Sequence, residues 1–109
     1  MAYDEALAAR IRTALKGRPE VTERKRVGGI AFMVAGNMAV GVIGEDLMAR
    51  VGPDAHDDAL AEPHVRPMDF AGRPMKGMVY VGPDGVATDD DLRGWVDRSA
   101  EFAARLPPK

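Results

Sequence analysis

The chain has 109 residues, 46% hydrophobic and 29% charged, with a net charge of −2, a size and balance suited to one folded domain with one core. It contains no cysteine, which excludes a disulfide, a thiolate nucleophile and a cysteine zinc site. The slight acidity leaves no global field to draw it onto nucleic acid or anionic lipid.

The N-terminal residues carry neither the basic nor the apolar region of a signal peptide. The longest apolar run breaks at Gly36-Asn37, well short of the ~20 residues of a membrane helix. A cytoplasmic location is expected. Residues 3–16 are predicted as a helix, because Tyr3, Leu7, Ile11 and Leu15 recur on one stripe. Gly17 and Pro19 stop it, and Arg10, Arg12, Lys16 and Arg18 are expected toward solvent or at the negative end of the helix dipole.

Residues 21–27 alternate weakly and are very polar, which predicts a strand near a sheet edge. Residues 30–35 and 38–43 are two apolar runs about Gly36-Asn37, the pattern of a tight hairpin. A turn at Gly44-Glu45-Asp46 and a short strand over 47–51 complete a four-stranded meander. Near-continuous apolarity in the middle strands predicts either cover on both faces, or one covered face and one used for association.

Gly52-Pro53-Asp54 opens a short helix that Pro63 ends, with Asp54, Asp57 and Asp58 near its positive end. Residues 64–77 hold Pro67, Gly72 and Pro74 and are predicted as loop. Residues 78–81 form the last predicted strand. Thr88 with Asp91 resembles a capping box, opening a helix over 89–106 whose apolar face carries Leu92, Trp95, Val96, Ser99, Phe102, Ala103 and Leu106. The expected fold is α+β, a single domain over 1–109. It has an antiparallel sheet of about five strands with the terminal helices packed mainly on one face.

Several separate motifs carry a family resemblance. Gly28-Gly29-Ile30-Ala31-Phe32-Met33-Val34, Gly36-Asn37-Met38, Leu47-Met48-Ala49-Arg50-Val51-Gly52, Arg66-Pro67-Met68-Asp69-Phe70 and Arg73-Pro74-Met75-Lys76-Gly77 resemble the N-terminal domain of the TfoX/Sxy family. Trp95-Val96 and Leu106-Pro107-Pro108-Lys109 are similar to its small single-domain members. The resemblance implies a fold shared with secretion chaperones and YjbR-like proteins, and a link to transcriptional regulation. Founding members promote natural competence, thought to act with the cyclic-AMP receptor protein, and carry a second helical domain. This chain is expected to be a stand-alone member without it. Arg26-Val27 and Ala39-Val40 stand where the family usually has Met-Phe and often a cysteine. The family offers no catalytic residue to carry over.

Candidate chemistry is sparse. Arg24, Lys25 and Arg26 are the densest basic run and the candidate nucleic-acid contacts. Against that role, Glu20 and Glu23 dilute the run and no aromatic interleaves it. His64, Arg66, Asp69, Arg73 and Lys76 are the candidate partner or anion contacts, with His64 a conceivable general base; pinning a rigid loop through an Asp69–arginine pair is the structural alternative. His56 with Asp54, Asp57 and Asp58 suggests a metal, but acidic residues at a helix start suit the dipole. Gly28-Gly29 lacks the Lys-Ser/Thr of a phosphate loop and is read as a turn or bulge.

Seven methionines suit either a core poor in aromatics or an adaptable binding surface. These observations favour a non-enzymatic interaction or regulatory module with no cofactor or metal, and a protein partner docking on the sheet face, the central strands or the 66–77 segment. A second copy of the chain is a further candidate partner, since the core is modest and a sheet edge is free.

Overall fold

The computed structural model describes residues 3–26, 28–70 and 73–108; the side chains of Arg26, Asp69, Phe70, Arg73, Pro74 and Met75 lie outside that description. Helix α1 (Glu5–Leu15) is capped by Asp4, whose carboxylate accepts from the amides of Ala6 and Leu7. Tyr3, predicted as part of the helix, instead bridges to Gly44. The Asp4 cap fixes the helix start just after it.

Four antiparallel strands follow: β1 (Val21–Arg26), β2 (Gly29–Val34), β3 (Asn37–Ile43) and β4 (Asp46–Arg50). The β2–β3 turn is Ala35-Gly36, one residue earlier than predicted, with φ of 51° and 84°. Positive φ at both positions is what a twisted two-residue hairpin requires. Asn37 is thereby freed to begin β3, where it is buried and donates through Nδ2 to the Pro107 carbonyl at 2.9 Å.

The short helix α2 (His56–Leu60) precedes β5 (Val65–Phe70) and β6 (Arg73–Val81). The segment predicted as loop is therefore a strand and the first half of another, and the sheet has six strands in the order β1-β2-β3-β4-β6-β5. Pro67 fits because β5 is an edge strand, where a missing N–H can face away from the ladder. The register slips between Pro67 and Asp69, as at a bulge. After a single 3-10 turn at Pro83–Val86, helix α3 (Asp89–Arg105) begins at Thr88, whose hydroxyl accepts from the Asp91 amide at 3.1 Å.

All three helices contribute to one core on one side of the sheet. Leu7, Ile11 and Leu15 of α1, Ala59 of α2, and Leu92, Trp95, Val96 and Ala103 of α3 cluster with Ile30, Phe32, Val40, Val42, Leu47, Val79 and Val81. Predicted face residues Phe102 and Leu106 are only half-buried, whereas Ala100 is fully buried. No helix among the described residues is long and apolar enough to cross a membrane.

Candidate functional site: the helix-free face of the sheet

Strand alternation sends every second side chain away from that core. On β2 these positions are Gly29, Ala31 and Met33; on β3 they are Met38, Gly41 and Ile43; Met48 and Tyr80 follow on β4 and β6. One row of register partners crosses the whole sheet: Arg24, Ala31, Gly41, Met48, Tyr80 and Arg66. None of the described helices packs against it. Ile43 is 37% exposed, the one large apolar side chain so exposed among the described residues, while Met33, Met38 and Met48 are half-buried.

Charge on this face is unevenly satisfied. At the β5 end the Arg66 guanidinium pairs with Asp46 and lies 5.3 Å from the Tyr80 ring centroid. At the β1 end Arg24 is exposed and has no ion pair among the described residues. Its neighbour Glu23 is in register with Phe32, on the helix side, where Arg12 donates to both its oxygens at 2.7 and 2.9 Å. The Arg12 hydrogen bond holds the Glu23 carboxyl below the usual glutamate range against the opposing effect of burial, and raises Arg12 in turn.

The basic run is thus divided by the pleat. Arg24 and Arg26 stand in register with Ala31 and Gly29 of the free face, and Lys25 with Ile30 of the core face; the Arg26 side chain lies outside the described residues. The arginines in and just after α1 do not join this run as free charges. Arg10 pairs with Asp89 and Arg18 with Asp97, as Arg12 does with Glu23.

The residues of the second candidate cluster run from just before β5 into β6. His64 precedes β5 at a φ of 67° and its carbonyl accepts from the Gly82 amide. Asp69 lies near the other end of that strand, roughly 16 Å away at the strand rise of ~3.3 Å per residue. Arg66 is held by Asp46, and Lys76 is exposed on β6. The side chains of Asp69 and Arg73 fall outside the described residues.

His56 Nδ1 accepts from the Gly77 amide at 2.9 Å, while the Gly77 carbonyl accepts from Val51 and Gly52. That bond gives His56 a structural task in joining α2 to β6. Among the described residues no three His, Asp or Glu side chains converge as a metal site would require. Gly28 has a φ of 79°, and a Cβ on Gly29 would lie 2.3 Å from the Val42 carbonyl oxygen, so the pair answers to backbone geometry. A hollow of about 210 Å³ between α1 and α3, lined by Arg10, Thr13, Asp89 and Arg93, is below the ~300 Å³ from which small-molecule sites start.

The model of the TfoX N-terminal domain matches residues 13–103. The chain belongs to the TfoX N-terminal domain family. No curated protein and no solved structure matches it. The matched span of this TfoX N-terminal domain runs from the last turn of α1 to the last turn of α3, and so includes every described strand of the sheet.

Sequence reasoning picked out the methionines but not the row they flank. The signal lay in the parity of two strands: Gly29, Ala31 and Met33 alternate with Ile30, Phe32 and Val34. On β3 the register shift opposite Phe32/Met33 breaks that alternation, which hid Met38 and Gly41 as neighbours on one face.

Proposed function

We propose that this TfoX N-terminal domain is a non-enzymatic regulatory module that holds a protein partner on the helix-free face of its sheet. The observation that carries the reading is the asymmetry of the central strands. Their core side is filled by α1 and α3, while their other side presents Met33, Met38, Ile43 and Met48 with none of the described helices over them. Flexible thioethers around an exposed isoleucine make an adaptable apolar surface of the kind used for protein docking. The regulatory character is what the family resemblance implies. A ligand or anion site around His64 stands behind this reading, because Arg66 is already committed to Asp46 and His64 is remote from Asp69 along β5.

The test is capture from native lysate at low and moderate salt with the wild-type chain and with Met33→Glu/Ile43→Glu. We expect a stoichiometric protein that survives moderate salt and disappears with the double variant, whose melting curve should stay cooperative. A partner retained equally by both chains would move the interface elsewhere. Nucleic acid retained only at low salt would support the Arg24–Lys25 reading instead.

A further inference from the structure

We infer that the free face contains an anchor site over Gly41 and Ala31 that accepts one large apolar side chain from an acidic segment of a partner protein; this rests on the free face being the interface. Gly41 and Ala31 are register partners on the two central strands. Both are buried, Ala31 to 1% exposure, although no described helix covers them.

Methionine methyl groups provide the cover. A Cβ built on Gly41 would lie 2.7 Å from both the Ile30 carbonyl oxygen and Met48 Cε, and 3.2 Å from Met38 Cε. The Ile30 carbonyl bounds the space at the sheet, and beyond it the space is filled by the far ends of two flexible side chains that can rotate to vacate it. The floor beneath is backbone fixed by ladders on both sides. A small-residue floor with a movable thioether cap suits an inserted aromatic or leucine side chain, which takes the place of the displaced methyl groups. Central, desolvated anchors of this kind dominate protein interfaces.

Charge selects the neighbours of that anchor. Arg66 at one end of the row is neutralised by Asp46, and Glu23 is turned to the other side and held by Arg12. Of the described side chains in this row, the one charge left without an ion pair is Arg24, two strands from Gly41, or about 10 Å at the inter-strand spacing; Arg50, on the same face of β4, is half-buried and donates to the Met38 carbonyl. A carboxylate about three residues from the anchor in an extended segment spans that distance, as does one about seven residues away along a helix. A second copy fits less well. Laying the row of one chain along the row of another sets Arg24 against Arg24, which opposes association, or against the Arg66–Asp46 pair, whose carboxylate is already taken.

The experiment is selection of random 16-residue peptides displayed against the intact chain. Individual peptides are then titrated while the ε-methyl resonances of labelled methionine are followed. The expected peptides carry Trp, Phe or Leu with Asp or Glu at one of those two spacings, and shift the Met38 and Met48 methyl signals. Arg24→Glu, on an exposed edge strand, should weaken them at least tenfold, and a peptide with Lys in place of the acid should regain binding to that variant. Met38→Ala/Met48→Ala, which empties the cap without adding charge, should bind the same peptides at least as well as wild type.

Peptides that move these methyl signals but lack acidic residues and ignore Arg24→Glu would overturn the inference while leaving the face as an interface. If no selected peptide moves the signals, both fall. A doubling of mass on concentration, with the same methyl signals shifting in the absence of peptide, would make a second copy the occupant and overturn the inference.

Discussion

The two faces of the sheet are built from the same strands yet follow opposite rules. On the core face, branched and aromatic side chains such as Ile30, Phe32, Val40 and Val42 are almost completely buried against α1 and α3. These side chains have few rotamers and pack at one geometry. On the free face, residues one position away are glycine, alanine or methionine, apart from Ile43 beside Val42. Glycine and alanine offer no side chain to lock, and methionine offers one that adapts. The core face is made to hold a single arrangement and the free face to accept several, so stability and binding are assigned to alternate residues of one strand.

The sharpest way to break this comparison is to truncate neighbours. Phe32 is fully buried, and Phe32→Ala should cost about 3–5 kcal/mol, the range for a core aromatic. Met33→Ala, one residue on and half-buried on the other face, should cost about 1 kcal/mol or less. Urea unfolding of the two variants checks both. A Met33 loss approaching that of Phe32 would mean the free face is packed against something within the chain, and the interface reading would fail.

Much of this division was legible in the sequence. The meander, the edge placement of β1 and the apolar face of α3 follow from periodicity, and the Thr88 cap from its spacing to Asp91. The 64–77 segment was not legible as strand. Proline and glycine argue against a central strand, and nothing local says that Pro67 occupies an edge. His64 and Asp69 lie apart for the same reason: nearness in sequence became distance along an extended strand. The Arg24-to-Arg66 row depends on register between strands far apart in the chain, which no local pattern encodes.

Smaller effects sharpen the core side of the comparison. Asn37 is 2% exposed and ties the start of β3 to Pro107, beyond the end of α3. Asn37→Ala should destabilise the fold by about 1–2 kcal/mol, because it strands a partly buried carbonyl, and should raise amide exchange in the last turn of α3. Ser99 is the contrary case. Its hydroxyl is fully buried and has no hydrogen-bond partner among the described residues. Ser99→Ala should therefore be neutral or stabilising by up to about 1 kcal/mol, seen as an unchanged or higher denaturation midpoint. A clear loss would show that the hydroxyl has a partner after all.

The smallest expected effect concerns the edge where the two faces meet. The Arg12 hydrogen bond keeps the Glu23 carboxyl ionised below its ordinary range. A carboxyl whose folded pKa is depressed contributes stability that is fully present above the unfolded value, about 4.3. That contribution is lost as pH falls through the lower folded value. Both side chains are substantially exposed, so the pair is worth under about 1 kcal/mol. Stability of the wild-type chain should fall slightly more than that of Glu23→Gln as pH drops below the glutamate range, and the two profiles should run parallel above it. If they also run parallel through the acid range, the bidentate pair adds nothing to stability, and its role is confined to holding Glu23 on the core side, away from Arg24.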